Sequence, residues 1–190
     1  MRPARLLPAL LFLAATTALG ACDPLSLNPA TIDNRVDSVR IWAVNGTPVS
    51  LPSGYDVTLR SRVRLDQVTT FDFVYAIAPD GGHVFLPIAA IAPTGRTTGN
   101  PGLLATTTPF DSITVAQQVG YVTNDTLRAT VGQVFYLRSA VNTSVCSLGI
   151  PFYGKLEVLA FDDEERSVTF RVLDNINCGY RGLEVGLPKK

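Results

Sequence analysis

The chain has 190 residues, 46% of them hydrophobic, with 16 basic and 16 acidic side chains and a formal net charge of zero. That balance gives no bulk attraction to nucleic acid, and no nucleic-acid partner is expected. A zinc or copper centre needs Cys and His clustered at ligand spacing, which a single histidine and two cysteines expected to be oxidised do not supply, so neither a metal nor another cofactor is expected.

Arg2 and Arg5 open the chain with positive charge, residues 6–19 are apolar or small, and a small-residue zone follows, the three-part plan of an export signal. The run is shorter than the roughly 20 apolar residues of a membrane-spanning helix. It ends in Leu19-Gly20-Ala21-Cys22, with Asp23 directly after. This tetrapeptide resembles the lipobox of bacterial lipoproteins, in which an aliphatic and two small residues precede the cysteine that receives diacylglycerol before the signal is removed. The resemblance is confined to this N-terminal stretch. It implies a signal peptide at 1–21, lipidation of Cys22, and a domain held at a membrane of the bacterial cell envelope, outside the cytoplasm. Asp23 resembles the inner-membrane retention signal of some Gram-negative bacteria, a rule that does not hold across all lineages, so inner and outer membrane both stay open. Ala18-Leu19-Gly20 also fits an ordinary export site cut before Ala21. That alternative leaves Cys22 as a free thiol in an oxidising compartment.

An odd cysteine in an exported chain needs an explanation. Lipidation of Cys22 supplies one and leaves Cys146 and Cys178 as a candidate disulfide. These two flank the last predicted hairpin, whose return brings the flanking segments within bonding reach.

Residues 22–34 are rich in Pro, Asn, Ser and Asp and read as the lipidated N-terminus and a tether, before a single domain at 35–190. Without Arg2 and Arg5, the mature chain holds two more acidic than basic side chains.

Beyond the tether the dominant period is two, in short runs of Val, Ile, Phe, Tyr and Thr bounded by Gly, Pro, Asn and Asp. Strands are predicted near 36–44, 56–65, 69–77, 83–90, 112–118, 126–130, 133–141, 155–161 and 167–173. A hairpin joins the third and fourth through Pro79-Asp80-Gly81-Gly82. The last joins inward-facing Leu156, Val158 and Ala160 to Val168, Phe170 and Val172 through Asp162-Asp163-Glu164-Glu165. The stretch 92–111, with three prolines and three glycines, reads as a long connection, mobile or functional. This pattern predicts an all-β domain, a single antiparallel β-sandwich of Ig-like or similar kind, with a small β-barrel as alternative.

Chemistry is sparse. Nucleophilic triads need a histidine, and His83 stands alone at a predicted turn without a G-x-S-x-G elbow. The acidic run 162–165 lacks the spacing of a calcium loop and reads as a solvated turn. Trp42, the single tryptophan, alternates with Arg40 and Val44 and reads as partly buried core. Asn45-Gly46-Thr47, Asn124-Asp125-Thr126 and Asn142-Thr143-Ser144 match a glycan acceptor pattern but read as turns. Arg60, Arg62 and Arg64 share one face of a predicted strand. They read either as an anion contact, to which the planar guanidinium fork is suited, or as a solvated face paired with neighbours such as Asp72. The expectation is therefore a non-catalytic domain, anchored to a membrane by lipid, that binds or scaffolds an envelope protein or glycan. The alternative is a carboxylate-dependent hydrolase of envelope glycan or peptide, which requires a cleft holding two acids.

Overall fold

The computed structural model of the protein describes residues 28–92 and 99–189. These residues form two five-stranded antiparallel sheets. The first runs in spatial order β1 (Val36–Trp42), β10 (Ser167–Asn175), β9 (Tyr153–Asp162), β8 (Val134–Arg138) and β6 (Gly102–Thr106). The second runs β3 (Ser61–Val63), β2 (Gly54–Asp56), β4 (Phe73–Ile77), β5 (His83–Pro87) and β7 (Leu127–Arg128). Each sheet ends in two edge strands and neither closes on itself, so the fold is a β-sandwich and not a closed barrel.

Period-two patterning places one face of each strand in a shared core. Phe73, Tyr75 and Phe85 from the second sheet meet Phe135, Phe170 and Val172 from the first. Across the interface Tyr55 meets Phe170 edge-on at 5.6 Å and Phe85 meets Phe135 at 5.7 Å between ring centroids. Edge-to-face pairs of this kind add to the area they bury.

The first sheet is also covered on its outer face. Val134, Tyr136, Tyr153 and Leu173 pack beneath Phe110, Ile113, Ala116 and Leu183. This is why Val134-Phe135-Tyr136-Leu137 is apolar without alternation: both of its faces are buried. Lys155, 4% exposed, enters this outer layer and donates to the carbonyls of Phe110 and Ile113 at 2.9 and 2.8 Å. Burial lowers its pKa, and the two carbonyls satisfy its ammonium.

The structure corrects several expectations. The run 56–65 is not one strand but the hairpin β2–β3. Asp56 Oδ1 accepts the Leu59 N–H, and Arg60 takes a left-handed φ of 51° that reverses the chain. The connection 92–111 contains β6, which pairs with β8 from Gly102↔Arg138 to Thr106↔Val134. It also contains a 3-10 turn at Phe110–Ser112, so most of its described part is ordered by hydrogen bonds. Residues 112–118 cross the outer face irregularly, with only a Val115↔Gly182 bridge. Ile113 and Ala116 turn inward, while Val115 is 48% exposed.

In the final hairpin Ala160 is exposed. The register shifts at Thr169/Phe170, so that Thr169 pairs with Ala160 and Phe170 with Val158, leaving Leu159 as the extra residue of a β-bulge. The inward face accordingly passes from Val158 to Phe161. The described part of the expected tether, residues 28–34, is held by hydrogen bonds. Thr31 and Ile32 donate to Asn177 Oδ1, and the Asn34 side chain donates to the carbonyls of Gly182 and Glu184, so 28–34 are fastened to the C-terminal segment. Residues 1–27, Cys22 among them, lie outside the described residues.

Candidate functional sites

The sandwich opens at one end into a cavity of about 640 Å³, between the turn after β2, the segment leading to β4 and the chain beyond β8. Thr58, Thr69, Thr70 and Thr143 offer hydroxyls there, and Leu59 and Phe71 contribute apolar wall. Two carboxyl groups, Asp56 and Asp72, share the lining.

Asp72 is buried and joins the sheets. Its Oδ2 accepts the Val57 N–H at 2.7 Å, next to β2, and its Oδ1 accepts the Ala140 N–H at 2.8 Å, beyond β8. Burial, with the nearby Asp56 charge second, raises its pKa to about 7 against the pull of those two N–H bonds. Asp56 is also raised by burial, opposed by the backbone N–H groups of Leu59 and Thr58. Both acids therefore hold turns while standing in the cavity.

A second recess, of about 350 Å³, lies between β1 and β3, edge strands of the two different sheets. Arg60 and Arg62 reach it, joined by Arg35 and Arg40. Arg60 donates to the carbonyls of Asp33 and Asp174 at 3.0 and 2.8 Å. Arg62 donates to the Arg40 carbonyl at 3.4 Å, and its guanidinium lies 5.8 Å from the Trp42 ring, which Arg40 approaches at 5.3 Å. Arg64 is directed elsewhere and pairs with Asp66 at 2.7 Å. The single row of three arginines is thus corrected: the hairpin turn at Arg60 breaks the alternation on which it depended. Asp72 is not their partner; its bonds go to backbone. Arg35 and Arg40 were missed because they enter from the other sheet, although Arg40 alternating with Trp42 was a visible signal.

His83 braces a hairpin. Its ring stacks on Phe161 at 3.6 Å and 4°, Nδ1 lies 2.7 Å from the Tyr75 hydroxyl, and Nε2 lies 3.6 Å from Asp163. In the acidic turn, Asp162 Oδ1 accepts the Glu165 N–H while Oδ2 pairs with Arg40 at 3.1 Å. Among the described residues no group of three or more His, Cys, Asp or Glu could hold a metal ion. Cys146 and Cys178 are bonded, with Cα atoms 5.3 Å apart, tying the segment before β9 to the chain after β10. No protein-family model, curated protein or solved structure matches this chain, so the functional reading is carried by its own residues.

Proposed function

We propose that the protein is a lipoprotein of the bacterial cell envelope, acylated on Cys22, whose β-sandwich binds or scaffolds another envelope component without catalysis. The observation that carries the anchor is the Cys146–Cys178 bond: it suits an oxidising compartment and leaves Cys22, at the end of the lipobox-like Leu19-Gly20-Ala21-Cys22, as the remaining cysteine. The binding role draws support from the open cavity, where hydroxyls, carboxyls and apolar wall are offered together.

Metabolic labelling with an alkynyl fatty acid in a bacterial host tests the anchor. The full chain should incorporate label and partition into detergent, and Cys22→Ser should do neither. An unmodified chain beginning at Ala21 overturns it. In-cell crosslinking from Thr70, on the cavity wall, should capture an envelope protein or glycan.

One observation favours a second reading, a carboxylate-dependent hydrolase: Asp56 and Asp72 line one cavity. Incubation of the purified protein with peptidoglycan fragments decides it. Hydrolysis that disappears in Asp56→Asn, a change that preserves an oxygen for the Leu59 N–H, would favour the enzyme over the binding module.

A further inference from the structure

The recess between β1 and β3 is built from the edges of two sheets, and its donors can be counted. Ala43 donates its N–H to the Arg166 carbonyl, on the β10 side. Backbone groups alternate along a strand. Those of Ile41, Val39 and Asp37 therefore turn toward β10, while those of Trp42, Arg40 and Ser38 turn toward the recess. Two contacts agree: the Trp42 N–H reaches the Pro52 carbonyl, and the Arg40 carbonyl accepts Arg62. The N–H groups of Ser38 and Arg40 point the same way.

The charges do not cancel. Asp37 pairs with Arg35 at 3.0 Å, and Asp162 pairs with Arg40 at 3.1 Å. Among the described residues Arg60 and Arg62 form no ion pair; the acceptors of both are carbonyl oxygens. Arg60 is fixed by those bonds, and the Trp42 face backs Arg62, so both heads are positioned in advance.

We infer that this recess binds a phosphate-type oxyanion, held by the guanidinium groups of Arg60 and Arg62 from the β3 wall and by the N–H groups of Ser38 and Arg40 from the β1 wall. A tetrahedral oxyanion presents acceptors in several directions, as donors on two walls require, and guanidinium–phosphate bonds are strong because they are charge-assisted. A volume of about 350 Å³ leaves room for a group esterified to the phosphate. The inference gives a ligand to the binding domain proposed above and rests on that reading, but not on acylation of Cys22.

Trp42, the single tryptophan, reports on the site through its ring contacts with Arg62 and with Arg40. The full chain in neutral detergent is titrated with inorganic phosphate at constant ionic strength against chloride, followed by Trp42 fluorescence and by calorimetry. Phosphate should give a saturable change that chloride does not. Arg62→Ala should weaken binding about tenfold or more without shifting the thermal midpoint, and Arg62→Lys should recover only part of it.

Phosphatidylglycerol vesicles that compete with phosphate, where phosphatidylcholine vesicles do not, identify a lipid headgroup as the source. Phosphate binding without such competition identifies a soluble phosphate ester. Absence of saturable heat and fluorescence change with both phosphate and vesicles overturns the inference, as does wild-type affinity in Arg62→Ala. A failed titration beside positive fatty-acid labelling removes the site and leaves the anchor standing. A successful titration of an unacylated chain does the reverse.

Discussion

Asp174 lies in β10 with Oδ2 accepting the Tyr55 hydroxyl at 2.5 Å and a buried Oδ1 that makes no hydrogen bond. Burial raises its pKa to about 8, outweighing the Tyr55 bond and the Arg60 charge that favour ionisation. The same burial, with the Asp174 charge beside it, raises the pKa of Tyr55. Asp72 is raised to about 7. Neither acid was legible as buried, because a carboxylate in the sequence looks alike whether it caps a turn in water or joins two sheets in the dark. The linkage has a definite sign. Both folded-state values lie above the ordinary carboxylate value of 3.8, so the folded chain holds more protons than the unfolded chain between about pH 4 and pH 8. The stability from these groups is fully present below the unfolded value and is lost as pH rises through 7 and 8. The thermal midpoint should therefore fall between about pH 5 and pH 9, by an amount equivalent to several kcal/mol. Asp174→Asn keeps an acceptor for Tyr55 and removes the titration, so its midpoint should vary less over that range. A pH profile parallel to the wild type, followed by circular dichroism, would contradict the assignment.

At the scale of elements, β4, β5, β8, β9 and β10 were legible because each alternates or runs apolar between turn residues, and because the β4–β5 and β9–β10 hairpins close locally. The β4–β5 turn is held by Ala78 N–H to the Gly82 carbonyl, with Gly81 at φ 81°. β6 was not legible. It follows Asn100-Pro101-Gly102, which reads as a turn, and its pairing partner β8 lies some thirty residues along the chain, so tertiary pairing decides its conformation. The β2–β3 hairpin was hidden for the opposite reason: apolar and polar residues go on alternating through the turn at Arg60. The chemistry of the β1–β3 recess was half legible for the same cause, since Arg60 and Arg62 were visible as a set but β1 supplies the facing wall.

Gly102 shows what fixes β6 in place. A Cβ built there would stand 2.6 Å from the Val122 carbonyl oxygen, and that backbone is held by reciprocal hydrogen bonds between Leu103 and Val122. Gly102→Ala must push the two segments apart and should cost about 1 to 3 kcal/mol, seen as a lower denaturant midpoint. Gly132→Ala tests the other extreme, a left-handed turn with nothing within 4 Å, where strain comes from the backbone alone. An unchanged midpoint in Gly102→Ala would mean that the edge strand yields.

Across the whole molecule, the chain is closed at the same end by two devices. The Cys146–Cys178 bond spans 32 residues and encloses the β9–β10 hairpin, for which loop-closure entropy suggests about 3.5 to 4 kcal/mol. Replacing both cysteines with serine should lower stability by up to that amount while leaving the far-UV spectrum of the sheets intact at low temperature. Just before Cys178, Asn177 performs the second closure without a covalent bond. Its Oδ1 accepts the N–H groups of Thr31 and Ile32 at 3.0 and 3.1 Å, and its Nδ2 donates to the Ile32 carbonyl at 2.8 Å, so one amide serves the backbone as a neighbouring strand would. Tyr180 adds a bond to the Asn28 carbonyl at 3.0 Å. If Cys22 carries the anchor, the span from it to Asn28 reaches roughly 20 Å at full extension, which sets how far the sandwich can stand from a bilayer. Asn177→Ala removes the three bonds to residues 31 and 32 but leaves the disulfide. Hydrogen exchange at Thr31 and Ile32 should then accelerate roughly 10- to 100-fold, as losing bonds worth about 1 kcal/mol each implies, while amides of β9 and β10 keep most of their protection. Equal acceleration throughout the sandwich would show that Asn177 supports the global fold and not the N-terminal segment. Unchanged exchange at residues 31 and 32 would show that Asn34 and Tyr180 hold that segment by themselves.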